Sequence, residues 1–390
     1  MIARKFAAAL LLTALTSASV RAGDPDVDRW SKATHRQASP ITDRHVIHSY
    51  FNTSPESADG KYVLYYTSAS PTGEKDGDLR ILERATGKET IIATGLTTED
   101  AHRVACQQWS GGGKYVLWHN LADGHWRVMA YEVATGKTKV LAEDRQLGYG
   151  SETGHFAPMY GMHWNPGPHR DLELCDVETG KITVPFTAEA AVKAYPDFMI
   201  KQFGSGDVTV FFPIMSPDES KVFFKPNQPT YTNDYHGMSS SAREGKVVYD
   251  LKAGQFIQLI EKWGHPSWMP DSKGIFEIGN YVFDLTAHKA LPRPAPSCIS
   301  DHPSVSPDAK LFVTDGETTK REWGVPGHWA VAVGSMKSDD WVVIDMFDNT
   351  KGATTWRHNH PHPHFSPDGK RIYYNVNDAQ WTKLMVAEVQ

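Results

Sequence analysis

Three histidines stand at the same distance from a recurring turn. His265, His302 and His362 each lie six residues before the aspartate of a turn that reads Met-Pro-Asp or Ser-Pro-Asp. Equivalent positions of neighbouring repeats come together in a closed repeat fold, so these imidazoles would reach one ion. His360 would point the same way along an extended strand, because it lies two residues before His362. Cys298, four residues before His302, would add a soft ligand.

This spacing indicates a divalent metal site. Imidazole and thiolate donors favour Zn²⁺ over Mn²⁺ or Ca²⁺, which take more oxygen ligands. The five candidate ligands are His265, Cys298, His302, His360 and His362. The alternative interpretation is structural: the His-Pro pairs begin strands, and their imidazoles form hydrogen bonds across a channel.

A second set of basic and aromatic residues lies in the middle of the chain. Many of its members fall in residues 146–169 and 225–245, which we interpret as insertions that no repeat needs. Loops of this length inside a compact repeat fold are usually functional or disordered, and the Tyr, His, Met and Trp content favours function. The candidate catalytic residues are His102, His119, Tyr160, His163, Tyr231 and Arg243, and the candidate substrate-binding residues are Arg170, Tyr235 and His236.

Such residues suit β-elimination at a uronate, a sugar that carries a carboxylate. The proton beside this carboxylate is weakly acidic, so a cation must neutralise the carboxylate before a base removes the proton. Arg243 suits the first task because a guanidinium stays charged and binds a carboxylate through two hydrogen bonds. A neutral histidine would act as the base and a tyrosine hydroxyl as the acid, or one tyrosine would do both.

Hydrolytic and nucleotide chemistries have less support. Glycoside hydrolysis needs two carboxylates across the scissile bond, and no acidic pair stands at a distinctive place. The sequence contains no Gly-x-Ser-x-Gly elbow and no phosphate-cradling loop, so serine hydrolase and nucleotide chemistry lack a motif.

Two repeated sequence motifs, called phrases below, identify the strands and turns that must position these residues. Turns resembling Ser-Pro-Asp-Gly-Lys, each followed by alternating aliphatic and aromatic residues, begin at Ser57, Ser110, Ser216, Met269, Ser306 and Ser366. Hairpin turns resembling Ala-Thr-Gly-Lys occupy residues 84–88, 133–137, 177–181, 251–254 and 285–289. The third hairpin lacks a clear copy of the first phrase, and we interpret residues 162–167 as a degenerate copy, which makes seven units.

Four short strands that repeat about every 40 to 50 residues predict an all-β fold, a seven-bladed β-propeller of four-stranded antiparallel blades. A pair of β-sandwiches is the alternative fold, but it would not repeat the same two turns so often. Residues 41–51 are predicted to supply a strand to the last blade, which would remove a free sheet edge.

The chain begins with the features of an export signal. Arg4 and Lys5 precede an apolar run, and small residues follow up to Ala22, so residues 1–22 are interpreted as a signal peptide and residues 23–390 as one catalytic propeller domain. We therefore expect a secreted or periplasmic protein, and no other stretch approaches a membrane span. Three cysteines, an odd number, predict no disulfide framework. A net charge of −6 with scattered Lys and Arg disfavours a nucleic-acid partner.

Residues 360–370, His-Pro-His-Pro-x-Phe-Ser-Pro-Asp-Gly-Lys, and the Gly-His-Pro-Ser-Trp of residues 264–268 resemble the propeller polysaccharide lyases, which include oligogalacturonate lyases and ulvan lyases. The resemblance implies a seven-bladed propeller, a histidine-bound divalent metal and eliminative cleavage of a uronate glycan. Carried over to this sequence, the metal ligands are His265, His360 and His362. Arg357 stands where the resemblance to oligogalacturonate lyases would place a glutamine ligand.

This departure, with the many His and Tyr residues of the middle segments, favours a lyase acting on an ulvan-like polysaccharide of glucuronate or iduronate. Tyr160 and Tyr231 compete for the catalytic tyrosine, and Arg170 and Arg243 for the catalytic arginine. The alternatives are an oligogalacturonate lyase and a non-enzymatic TolB-like propeller that binds a protein or glycan. The cleavage mode and the oligomeric state stay open.

Overall fold

The repeated turn phrase forms the same hydrogen-bonded turn in four blades. In the computed structural model, Ser306 Oγ donates to Asp308 Oδ1 at 2.8 Å, and the same carboxylate oxygen accepts from Lys310 N at 3.1 Å. Ser306 Oγ also accepts from Leu311 N at 2.9 Å, where the next strand begins. Equivalent contacts form in the turns at Ser57, Ser216 and Ser366. The phrase therefore fixes the hairpin between the first two strands of a blade.

The structure describes residues 23–70, 75–99, 102–204, 206–232, 241–291, 298–353 and 360–390. Within these ranges the strands form seven antiparallel sheets, six of them four-stranded and one five-stranded. This arrangement confirms the predicted all-β, seven-bladed propeller of four-stranded antiparallel blades.

Strands are numbered in chain order, and each blade is given from its innermost to its outermost strand. Strand β1 (Thr34–Gln37) precedes blade one, which contains β2 (His45–Ile47), β3 (Tyr62–Ser68), β4 (Gly77–Glu83) and β5 (Glu89–Leu96). Blade two contains β6 (Gln108–Ser110), β7 (Tyr115–Ala122), β8 (His125–Glu132) and β9 (Lys137–Glu143). Blade three contains β10 (Gln146–Leu147), β11 (Phe156–Tyr160), β12 (Leu172–Asp176) and β13 (Ile182–Phe186).

Blade four contains β14 (Thr209–Met215), β15 (Lys221–Pro229), β17 (Lys246–Asp250) and β18 (Gln255–Ile260), and β16 (Ser241–Arg243) pairs with β15 as an extra strand. Blade five contains β19 (Ser267–Trp268), β20 (Gly274–Glu277), β21 (Tyr281–Asp284) and β22 (Lys289–Leu291). Blade six contains β23 (Ser304–Val305), β24 (Leu311–Glu317), β25 (His328–Ser335) and β26 (Trp341–Asp348). Blade seven contains β27 (His364–Phe365), β28 (Arg371–Val376), β29 (Lys383–Glu388) and β1.

Short helices lie outside the blades. They are α1 (Pro25–Asp28), α2 (Ala188–Ala194) and α3 (Pro196–Phe203), with 3₁₀ turns at Arg29–Lys32, Gly111–Gly113 and Asn349–Lys351. Thr187 caps α2 by accepting from Ala190 N at 3.2 Å, and Gly204 ends α3 with a φ of 68°. The apolar residues of α2 and α3 join the core shared by blades two to five, whereas Val27 of α1 joins the core of blades six and seven. Across the described ranges, no helix is long and apolar enough to cross a membrane.

The ring of blades closes through β1, which differs from the prediction. Thr34 to Gln37 pair with Glu388 to Met385 of β29, so β1 is the outermost strand of blade seven. Residues 41–51 were expected in this role, but they contain β2, the innermost strand of blade one. The burial patterns give the reason, because β1 is largely exposed, as an edge strand tolerates, whereas β2 is fully buried.

The segment 146–169 is not an insertion, contrary to the prediction. It contains β10 and β11, the two inner strands of blade three. The turn between these strands lacks the Ser-Pro-Asp phrase, and residues 162–167, taken as a degenerate copy, follow β11 instead. Segment 225–245 does depart from the repeat, because it carries the extra strand β16.

Glu56 links blades seven and one at their seam through hydrogen bonds and ion pairs. Its carboxylate, 1% exposed, accepts from Arg371 Nε at 2.8 Å and from Arg371 Nη2 at 2.9 Å. Tyr373 OH donates to it at 2.6 Å and Arg84 Nη1 at 3.2 Å. A buried carboxylate with this many donors joins side chains of both blades.

Replacing Glu56 by alanine is expected to lower the free energy of unfolding by about 3 kcal/mol, because Arg371 and Tyr373 lose a buried partner. Urea unfolding followed by tryptophan fluorescence measures the change. Asp123→Asn, which removes the charge of an exposed partner of Arg127 and keeps a side chain suited to the left-handed φ of 53°, is the control and should cost less than about 1 kcal/mol. Equal losses in the two variants would show that the seam does not depend on Glu56.

Candidate functional site

The histidines at the shared register converge in the structure. The ring centroid of His302 lies 4.3 Å from that of His265 and 4.4 Å from that of His362. His360 lies 5.1 Å from His302, and His102, in the loop between blades one and two, lies 4.5 Å from His360. We call these five residues the histidine cluster. His102, predicted as a catalytic residue, therefore lies among the candidate metal ligands.

The backbone conformation also recurs at the register position that the three histidines share. His362 has a left-handed φ of 48°, and the equivalent residues Cys106 and Phe212 have φ values of 51° and 52°. Non-glycine residues rarely adopt this conformation, which costs of order 1 kcal/mol or more. Because the conformation recurs in three blades, it belongs to the propeller geometry and not to the histidines alone.

Several ring nitrogens of the histidine cluster are buried without a hydrogen bond to any described residue. They are His302 Nε2, His360 Nδ1 and both nitrogens of His362. Burial holds the pKa of His302 and His362 well below the usual value and lowers that of His360 to about 3, so these rings are neutral. Hydrogen bonds across the channel, the structural alternative, do not account for these nitrogens. Buried neutral imidazoles without partners fit a divalent cation.

The candidate metal ligands fall into two groups of three residues, and the ligand atoms of each group lie within 4.8 Å of one another. One group is His102, His360 and His362, and the other is His265, Asp301 and His302. Asp301 Oδ1 lies 2.9 Å from His265 Nδ1. Burial alone would raise the pKa of Asp301, but His265 and His302 outweigh burial and hold the pKa below its usual value. Asp301 is therefore an ionised oxygen donor.

Asp315, on β24, orients two of the histidines. Its Oδ1 accepts from His302 N at 3.0 Å and lies 2.8 Å from His302 Nδ1, and its Oδ2 accepts from His362 N at 2.8 Å. Burial, and then the charge of Asp301, raises the pKa of Asp315 to about 8. Because His302 Nδ1 points at this carboxyl, His302 Nε2 is the ring nitrogen left to bind a metal ion. This arrangement is common around metal-binding histidines.

Two aromatic rings fill the channel beside the cluster. The ring centroid of Tyr50 lies 4.6 Å from that of His362, and that of Phe51 lies 5.1 Å from that of His302. Phe51 and Asn52 line two cavities of the structure, one beside the histidine cluster and a second lined by residues such as Glu152 and Trp268. Phe51 and Asn52 therefore contact both cavities.

A cavity of about 350 Å³ opens beside the histidine cluster, and we call it the main cavity. Four cluster histidines line it with one acidic side chain, three cationic side chains and an apolar wall. The lining residues with polar chemistry are Tyr50, Asn52, Glu99, His102, Arg103, Lys225, Ser241, Arg243, His265, His302 and His360, and the apolar wall includes Phe211, Phe212, Phe223 and Trp263.

Lys225 and Arg243 share one face of blade four. Asn227 pairs with Arg243, and Lys225 lies two residues before Asn227 on β15, so their side chains project from the same side. Lys225 Nζ lies 4.4 Å from the Trp263 ring centroid and donates to Gly264 O at 3.0 Å. Burial lowers the pKa of Lys225 to about 7, and the charges of Lys246 and Arg243 add to the effect.

A buried hydrogen-bond network around Glu99 contacts Arg103 and Arg243, which with Lys225 form the cationic wall of the main cavity. Glu99 Oε1 accepts from Arg103 Nη2 at 2.7 Å and lies 2.9 Å from His163 Nε2. His163 Nδ1 lies 2.9 Å from Ser241 Oγ, and Arg243 Nε donates to the same hydroxyl at 3.3 Å. Burial alone would raise the pKa of Glu99, but Arg103 and His163 outweigh it and hold the pKa well below its usual value. His163 therefore connects Glu99 to the Ser241 hydroxyl that Arg243 contacts.

Like His163, two further predicted catalytic residues are buried and do not line the main cavity. His119 is 1% exposed, and its Nδ1 accepts from Leu147 N at 2.8 Å. Tyr160 is 0% exposed, with its hydroxyl 3.5 Å from Arg103 Nη1, and burial raises its pKa. Neither lines the main cavity among the described residues, so their catalytic roles stay predictions without geometric support.

Other predicted residues lie elsewhere. Arg170 Nη1 donates to Tyr231 OH at 2.7 Å, and Tyr231 OH donates to Asp207 Oδ2 at 2.8 Å, which forms an exposed network outside the main cavity lining. Cys298, a predicted metal ligand, is buried among apolar residues between blades five and six, where its Sγ accepts from Asn280 Nδ2 at 3.4 Å. The predicted residues Tyr235 and His236, and also Arg357, lie outside the described residues.

Sequence reasoning missed several residues that line or support the site. Asp301 precedes His302 directly, so its position beside a candidate ligand was a usable signal. Glu99, Arg103 and Lys225 carry no motif, and Lys225 reaches Arg243 only through the pairing of β15 with β16.

Comparisons with known proteins support the fold. No protein-family model and no curated protein sequence matches the chain. An oligogalacturonate lyase structure from Vibrio parahaemolyticus is similar with a TM-score of 0.63 at 16% identity, over 92% of this chain and 97% of that chain. An oligogalacturonate lyase in complex with manganese is similar with a TM-score of 0.62 at 17% identity, over 92% and 96%. The β-propeller domain of Cps50 (Swd1) from Myceliophteria thermophila is similar with a TM-score of 0.53 at 9% identity, over 90% of this chain and 100% of that chain.

Replacing Glu99 by glutamine is expected to lower the free energy of unfolding by roughly 3 kcal/mol at neutral pH, because Arg103 loses its buried counter-charge. The pKa of Glu99 is lower in the folded than in the unfolded chain, so its contribution is complete above the unfolded pKa and is lost as the pH falls through the folded pKa. The difference between wild type and variant should therefore shrink below about pH 4.

Urea unfolding at a series of pH values measures this difference. Glu178→Gln, which changes an exposed partner of Lys114, is the control and should change stability little at any pH. A wild-type to Glu99→Gln difference that stays constant down to low pH would show that the Glu99 charge does not stabilise the fold.

Proposed function

We propose that the chain is a divalent-metal-dependent lyase that cleaves a uronate-containing glycan by β-elimination. The observation that carries the proposal is the main cavity, in which four buried or half-buried histidines meet the cationic side chains of Arg103, Lys225 and Arg243. An anionic sugar is the ligand that this combination favours, because cations and neutral imidazoles in one concave site suit a carboxylate bound beside a metal.

The histidine cluster and Asp301 are the residues that would hold the cation. The buried ring nitrogens without hydrogen bonds and the ionised carboxylate fit a divalent ion. Imidazole donors favour Zn²⁺, whereas the Asp301 oxygen and the manganese of the similar oligogalacturonate lyase favour Mn²⁺. When bound, such an ion supplies positive charge that acidifies the proton next to a uronate carboxylate.

Arg243 and Lys225 divide the remaining chemistry between them. Arg243 binds the substrate carboxylate through its guanidinium, which stays charged at all relevant pH values. Lys225, with a pKa of about 7, is partly neutral near pH 7 and removes the C5 proton of the uronate. The electron pair of the C5–H bond forms the C4–C5 double bond, and the C4–O bond breaks. The departing oxygen then takes the proton from the Lys225 ammonium.

We place an oligogalacturonate substrate ahead of an ulvan-like one. Two solved structures with this fold are named oligogalacturonate lyases and match over nearly the whole of both chains. Neither tyrosine predicted for the ulvan-type arrangement lines the main cavity, because Tyr160 is fully buried and Tyr231 is bound to Asp207 and Arg170. For residues 1–22, outside the described residues, we propose the export role expected from their composition.

Incubation of the protein with oligogalacturonate, polygalacturonate and ulvan tests the proposal. The unsaturated uronate product absorbs in the ultraviolet, so elimination appears as a rise in absorbance. The activity should need added Zn²⁺ or Mn²⁺ and should fall roughly 10²-fold or more in Lys225→Met, because a general base typically contributes that much. Lys221→Met, on the same strand outside the main cavity, is the matched control and should keep wild-type activity.

No absorbance rise on any of the three substrates, with metal bound, would overturn the lyase proposal and favour a binding propeller. A rise on ulvan alone would reverse the order of the substrates. Wild-type activity in Lys225→Met would remove Lys225 from its role as base.

The pH dependence of kcat/KM gives a further test. The base must be neutral to accept a proton, so kcat/KM should rise as the pH increases through about 7, the pKa of Lys225. Steady-state rates on oligogalacturonate between pH 5 and pH 9 would measure this rise, about tenfold per pH unit below the pKa. A profile that is flat across this range would show that Lys225 does not act as a titrating base.

A further inference from the structure

We propose that the histidine cluster and Asp301 bind two divalent cations side by side. This inference rests on the divalent-metal part of the proposed function, but it needs neither the glycan nor the elimination step.

The number of candidate metal ligands exceeds the four that one Zn²⁺ ion usually takes. Five imidazoles and the Asp301 carboxylate offer six ligands in all. Zn²⁺ in proteins is usually four-coordinate, and the ions that accept six ligands prefer oxygen to nitrogen. Three protein ligands for each ion, with open positions for water or substrate, is instead the common arrangement of a catalytic metal site.

The geometry divides the donors in the same way. His102, His360 and His362 form one set, and His265, Asp301 and His302 form the other, each with its ligand atoms within 4.8 Å of one another. The first set comes from the loop before blade two and from the segment before β27, and the second set comes from the segments before β19 and β23. Each set therefore gathers ligands from two places in the chain.

The two sets adjoin each other. The ring centroid of His302, in the second set, lies 4.4 Å from that of His362 and 5.1 Å from that of His360, both in the first set. Ions held by adjoining sets would be neighbours, as in two-metal sites, where the ions lie about 3.5 to 4 Å apart.

Both sets contain buried nitrogens that no described residue satisfies. His302 Nε2 belongs to the second set, and His360 Nδ1 and both ring nitrogens of His362 belong to the first, and none of them has a hydrogen bond to a described residue. His302 is 1% exposed and His362 is 0% exposed. One ion in one set would leave the buried nitrogens of the other set without a partner, which costs free energy.

Charge makes the two ions unequal in affinity. Two divalent ions bring four positive charges, whereas Asp301 and Asp315 supply at most two negative charges, and Lys225 and Arg243 add positive charge nearby. The second ion therefore binds more weakly than the first because of mutual repulsion. A carboxylate that enters the main cavity would offset this repulsion and raise the affinity of the second ion.

Metal content measures the stoichiometry directly. The full protein is stripped with a chelator and titrated with Zn²⁺ by calorimetry, and its metal content at excess free Zn²⁺ is measured by inductively coupled plasma mass spectrometry after subtraction of the free metal. We expect two equivalents per chain in the wild type, and one equivalent in His102→Ala and in Asp301→Ala. His125→Ala, which removes an exposed histidine on β8, is the matched control and should keep two. Saturation of the wild type at one equivalent would overturn the proposal, even if a variant fails to fold.

Loading with Mn²⁺ separates a paired site from stray surface binding. Two neighbouring Mn²⁺ ions are magnetically coupled, so electron paramagnetic resonance should show a coupled spectrum in the wild type and an isolated-ion spectrum in Asp301→Ala. Isolated-ion spectra in both proteins would show that the second equivalent binds elsewhere. Two bound ions without cleavage of any uronate glycan would overturn only the proposed function, and cleavage with one bound ion would overturn only this inference.

Discussion

The site depends on one buried carboxyl group at the seam between blades six and seven. Asp315 accepts from the backbone of His302 and of His362, which precede the innermost strands of two different blades, and from the imidazole of His302. Burial makes a full negative charge unfavourable there, as its raised pKa reflects. A cation beside His302 would offset that cost, because positive charge favours the ionised form. The same group therefore couples the packing of two blades to the charge at the channel mouth.

The fold was largely predictable because its signal is local. A Ser-Pro-Asp turn satisfies its own hydrogen bonds within six residues, as at Ser306 to Leu311, so each copy marks a blade wherever it occurs. The errors fall where this local signal is absent. Blade three builds its inner hairpin without the phrase, so β10 and β11 were mistaken for an insertion. The closing strand β1 is short, polar and exposed, and only its distant partner β29 identifies it.

The candidate site was partly predictable for a related reason. His265, His302 and His362 share a register, and a propeller brings equal registers together, so their convergence follows from the repeat. Cys298 is near His302 in sequence, but it lies in the core between blades five and six. The cationic wall depends on contacts between remote segments. The Glu99 to His163 contact spans 64 residues, and no local pattern predicts such a pairing.

Phe51 and Asn52 line both the main cavity and the second cavity, and the rings of Tyr50 and Phe51 pack against His362 and His302. A glycan chain that occupied both cavities would have to pass these rings. If the proposed lyase activity holds, this packing would oppose the sliding of a polymer from one cavity to the other. Each cleavage would then begin with a new encounter between glycan and protein.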